Sequence, residues 1–83
     1  MKYHKHILTV SKSCSDLLAD ILTKWCWDVA EDYCGRKGLH YENAGVAFMF
    51  NMSFHIYNLL EEKSDNNNYY FVLNERKINM SKG

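Results

Sequence analysis

The residues with the widest chemical range in this sequence are three cysteines and four histidines, and their spacing is the first thing to weigh. His4 and His6 stand two apart, so on a strand they share one face. Cys14, Cys26 and Cys34 are separated by 12 and 8 residues, and Cys34-x5-His40 spans a glycine-marked stretch. Zinc needs thiolate and imidazole groups converging on a tetrahedron, and chains commonly supply them as Cys-x2–4-Cys or His-x3–5-His pairs. No such pair is present, so no metal and no cofactor is expected. The bland alternative is two exposed histidines near a terminus and small buried thiols.

Cys14 is the candidate nucleophile. At the start of a helix the positive end of the backbone dipole favours a thiolate. No Cys-His-Asp signature accompanies it. The acidic pairs Glu31-Asp32 and Glu61-Glu62 are adjacent in sequence, and adjacent helical residues point about 100° apart, so neither converges as an acid/base dyad. A phosphate-cradling glycine loop, a Walker motif and a Gly-x-Ser-x-Gly elbow are all missing. An enzyme is therefore not expected.

Charge does more. The 83 residues carry ten Lys plus Arg and ten Asp plus Glu, a net charge of zero. That sum excludes a strongly basic nucleic-acid binder and a whole-molecule acidic mimic. It is a cancellation, however. Residues 1–13 carry +3, residues 14–34 carry −4, and residues 64–83 carry +1. The acidic segment reads as a helix, and Trp27 lies among Asp20, Lys24, Asp28 and Glu31 on its polar side. A tryptophan among charges has the composition of a binding hot spot, though packing on a second helix would equally account for it. Those five residues are the candidate partner-binding set. A second candidate set is Tyr69 and Phe71, alternate residues on a strand, with Lys5, Arg76 and Lys77 around them. Stacking aromatics and nearby cations suit single-stranded nucleic acid, although the neutral total works against phosphate binding.

Positioning these residues requires a small α+β domain. Residues 3–10 alternate as a strand, with His4, His6, Leu8 and Val10 on one face. Residues 14–34 carry a broad apolar helical face, with Ser13 as the expected N-cap and Gly35 as the expected stop. Residues 41–63 fit both periods: Val46, Phe48, Phe50, Met52, Phe54 and Ile56 alternate, yet length and the Leu-Leu-Glu-Glu-Lys ending favour a helix. Residues 69–73 read as a strand, with 77–80 as an optional hairpin partner. The expectation is β-α-α-β-(β), two helices on one face of a small antiparallel sheet, in a single domain spanning 1–83. A mostly helical chain, or 46–56 as a strand, is the alternative.

No signal peptide, membrane-length apolar run or lipidation motif is evident, and three cysteines cannot all pair, so a reduced cytoplasmic protein is expected. Asn, Lys and Tyr are abundant, at eight, eight and six, while Arg and Pro number two and zero. AT-rich coding DNA produces that bias, and small phage and mobile-element proteins often share it. Together these features favour a non-enzymatic inhibitor, immunity or counter-defence type of protein. Its partner would be another protein, presenting for instance a basic nucleic-acid-binding surface. The apolar surface of 44–60 is large for so small an interior, which also admits a homodimer.

Overall fold

The computed structural model describes residues 4–38 and 46–78. Strand β1, Lys5–Ser11, leads into a 3₁₀ helix, Lys12–Leu17, and then helix α1, Leu18–Lys37. Helix α2 follows at Val46–Leu59, then strands β2, Glu61–Ser64, and β3, Asn68–Asn74, and a closing 3₁₀ turn, Glu75–Lys77. The three strands form one antiparallel sheet in the order β1-β3-β2. The chain is thus the α+β domain expected, with both helices packed against a small sheet.

Alternation places the sheet's faces. His6, Leu8 and Val10 of β1 stand opposite Leu73, Phe71 and Tyr69 of β3. Ile7 and Thr9 stand opposite Val72 and Tyr70 on the other face. The helices cover the first of these faces. Leu22, Cys26, Val29, Ala30 and Cys34 of α1, with Met49, Met52 and Ile56 of α2, close one buried cluster with Val10, Phe71, Leu73 and Ile78. Cys26, Ala30 and Cys34 recur every four residues, so small side chains form one stripe along α1.

Several boundaries differ from the sequence expectation, each for a local reason. Ser11, not Ser13, is the capping residue: its Oγ accepts from the Ser13 N–H at 3.2 Å. The segment after it is a 3₁₀ helix, so the α-helix begins four residues later than residue 14. Gly35 does not stop α1. It stays helical, and Gly38 takes the left-handed position at φ 71°, its N–H bonding the carbonyls of Cys34 and Gly35. The extra turn carries Arg36 and Lys37, cations suited to the negative helix end.

Residues 46–59 are helical and not a strand, but the helix does not run to 63. Glu61–Ser64 pairs with β3 instead, because an open strand edge offers backbone partners that override side-chain propensity. The third strand therefore precedes β3. The expected strand at 77–80 is absent at Lys77, which lies in a 3₁₀ turn; residues 79 and 80 lie outside the described residues. Asp65 builds the β2–β3 turn. Its Oδ1 accepts from the N–H groups of Asn67 and Asn68, both at 2.8 Å, and the Tyr70 hydroxyl donates to Oδ2 at 2.7 Å. Those bonds, Tyr70's first, hold the Asp65 carboxyl below its ordinary pKa. Among the described residues, no helix is long and apolar enough to cross a membrane.

Candidate functional site

Two places combine chemistry with geometry, one at each end of α1. The first is an apolar groove of about 340 Å³ between the helices. Ala19, Leu22, Thr23 and Cys26 of α1 form one wall, and Phe50, Ser53, Phe54 and Tyr57 of α2 the other. The i, i+3, i+4, i+7 spacing on both helices puts each set on one face. Phe50 and Phe54 remain 60% and 66% exposed, and Val46 and Tyr57 are exposed beside them. Single exposed apolar residues are ordinary, but a contiguous aromatic face beside a groove is the usual form of a docking surface.

Trp27 joins this face. It is half-buried and meets Phe50 edge-to-face, with ring centroids 5.1 Å apart at 71°. Trp27 thus contributes both to packing between the helices and to the rim of the exposed face. Asp20, Lys24, Asp28 and Glu31 are all exposed, and Lys24 reaches Asp28 at 3.4 Å. At about 100° per residue, Asp20, Lys24 and Glu31 follow Thr23 and Trp27 around α1, so a charged, mainly acidic strip flanks the apolar face on this side. On α2 the corresponding border is neutral, with Asn51 and Asn58 exposed. The sequence pointed to α1 and Trp27. It named the wide apolar surface of 44–60 only in general terms, because helical phase alone does not say which half of an all-round apolar helix faces the core.

The aromatic strand set is dispersed. Phe71 is only 4% exposed and its ring belongs to the core, so it offers no face for a base. Tyr69 points to the same covered side, where Lys12 Nζ lies 5.3 Å from its ring centre. Lys77 is engaged by Glu61 at 2.8 Å, which holds the Glu61 carboxyl low. Lys5 and Arg76 are exposed. The burial of Phe71 comes from tertiary packing and is invisible in a short alternating run.

The second place lies at the C-terminal end of α1. Glu75, 2% exposed at its side chain, opens the last 3₁₀ turn. Arg36 bonds both carboxylate oxygens, and His6 Nε2 donates to Oε2 at 2.5 Å. Arg36 also donates to Asp32 Oδ2 at 2.9 Å through Nε, and to His4 Nδ1 at 3.0 Å. Burial pushes the Glu75 carboxyl up, but the bonds and charges of Arg36 and His6 outweigh it and hold the pKa below the ordinary value. Arg36 is held more firmly protonated by Glu75 first and Asp32 second. His6, Asp32 and Glu75 each bring a ligand atom within 4.8 Å of the others, the composition of a metal site. The histidine pair was visible in sequence; its carboxylate partners, 26 to 71 residues away, were not.

The cysteines separate in the same way. Cys26 and Cys34 are buried, and burial pushes both thiols up, Cys26 to about 11. Cys14 is exposed but sits inside the 3₁₀ segment, ahead of α1, so it does not occupy the first turn of that helix. His40 of the Cys34-x5-His40 spacing lies outside the described residues. Comparison with protein-family models, characterised proteins and solved structures finds no match.

Proposed function

We propose that this chain is a non-enzymatic binding protein, of the kind that inhibits or neutralises by occupying a partner protein. The groove between α1 and α2 is its docking surface. Its partner is an amphipathic helix with an apolar stripe and basic flanks. The observation that carries this reading is the run of exposed aromatics, Phe50, Phe54 and Tyr57, around the groove, beside a helix α1 whose exposed face carries Asp20, Asp28 and Glu31. An apolar helix seats its stripe on the aromatics, and its Lys or Arg side chains meet Asp20, Asp28 and Glu31 on the exposed face of α1. Trp27 then rims the contact, half-desolvated before binding, which is a favourable position for a hot spot.

Two synthetic helical peptides of equal length test this, one of Leu and Lys, the other of Leu and Glu. The Trp fluorescence of the full chain should respond to the Leu/Lys peptide, with affinity that weakens as salt rises. The Leu/Glu peptide should bind at least tenfold more weakly. Phe54→Glu should abolish the response while leaving thermal stability intact, because Phe54 is exposed. Equal binding of both peptides, or indifference to Phe54→Glu, refutes the reading. Sedimentation must also show a monomer. A dimer that Phe54→Glu dissolves would put a second copy in the groove and displace the partner protein.

A further inference from the structure

We propose that His6, Asp32 and Glu75, with His4 beside them, form a zinc site that Arg36 occupies as an internal cation. The position between the two carboxylates is already shown to take positive charge, since Arg36 Nη2 touches both Asp32 Oδ2 and Glu75 Oε2. Ligand atoms of His6, Asp32 and Glu75 lie within 4.8 Å of one another. Zinc bonds of about 2.0–2.2 Å set tetrahedral ligand separations of roughly 3.5 Å, so closing on an ion asks for a contraction of about an ångström. The fourth ligand is near. His4 Nδ1 stands 3.8 Å from Glu75 Oε1, and the two imidazoles lie with centroids 6.3 Å apart and planes 25° from parallel.

Charge favours the exchange. Zinc would bring two positive charges to the two carboxylates where Arg36 brings one. Two imidazoles and two carboxylates are also a donor set that suits zinc better than magnesium or calcium, which prefer all-oxygen shells. Release of the incumbent is feasible. Arg36 is 31% exposed at its side chain and lies in the last turn of α1, next to solvent. The ligands come from β1 and the residue before it, from α1 and from the closing turn, so an ion here would staple both ends of the described chain to the end of α1. This site is separate from the groove and does not depend on its function.

Zinc titration by calorimetry, on the full chain carrying Cys14→Ser to remove the exposed thiol, is the test. One equivalent should bind with micromolar or tighter affinity, and cobalt should give the intense visible bands of a tetrahedral site. Asp32→Asn and His4→Ala, both at half-exposed ligands, should each weaken binding at least tenfold. Arg36→Gln, which removes the competitor, should tighten it at least tenfold. Should Arg36→Gln prove poorly folded, its melting temperature should rise on adding zinc by more than that of the Cys14→Ser parent. No binding by the parent protein, affinity unmoved by Asp32→Asn and His4→Ala, or no gain from Arg36→Gln in either affinity or melting temperature would each overturn the proposal.

Discussion

Arg36→Met should destabilise this fold severely at neutral pH and much less in acid. In the native chain Glu75 is 2% exposed at its side chain and has Arg36 on both oxygens and His6 on one. Taking away Arg36 leaves a buried carboxylate with one partner. Removing one member of a buried pair costs about 3–5 kcal/mol, and the partial exposure of Arg36 puts the loss near the lower end, about 3 kcal/mol. A domain of 83 residues has only about 4–12 kcal/mol in all. At roughly 4–8 °C per kcal/mol, the melting temperature should fall by about 12–24 °C.

The pH dependence follows from Glu75. Its folded pKa lies below the ordinary value, so its contribution is complete above the unfolded pKa and disappears as pH falls through the folded one. In Arg36→Met, burial acts with little opposition and the folded pKa moves up. Glu75 then destabilises at neutral pH and ceases to do so once protonated. Urea melts at pH 7 and near pH 3.5 should therefore show a large deficit that shrinks in acid. The double variant Arg36→Met with Glu75→Gln should be more stable at pH 7 than Arg36→Met alone, since no bare charge remains. A deficit below about 1 kcal/mol at pH 7, or one equal at both pH values, would refute the assignment of Glu75 as a buried carboxylate dependent on Arg36.

Other outcomes are equally specific. Gly35→Ala should stabilise by about 0.5–1 kcal/mol, because the position is helical with open space around it, whereas Gly38→Ala should cost about 1 kcal/mol at its positive φ; thermal melts of the two variants should shift in opposite directions. Met52→Ala should lose about 2–5 kcal/mol in chemical denaturation, since Met52 is fully buried between the helices and the sheet. In a thiol titration of the native chain Cys14 alone should react promptly, with Cys26 and Cys34 following only on unfolding; prompt reaction of all three would contradict the buried stripe on α1.

By itself the sequence determined the α+β class, the strand at the start, the long first helix and the acidic character of that helix. Each rests on local period and composition: alternation in 5–10, a broad apolar face from Leu18 to Tyr33, β-branched and aromatic residues in 69–73. It also flagged Trp27 and the surplus of apolar surface in α2. Tertiary structure decided the rest. Glu61-Glu62-Lys63 looks like the tail of a helix, and only the open edge of β3 makes it a strand. Gly35 and Gly38 are alike in sequence, yet α1 runs through the first and ends on the second in the left-handed conformation. Phe71 went inward with the pleat that also carries Tyr69, which places Phe71 in the core. Glu75, an ordinary acidic residue near the end of the chain, became the buried centre of a cluster with His6, Arg36 and Asp32. Its partners are distant in sequence, and no local pattern encodes which charges a fold will bring together.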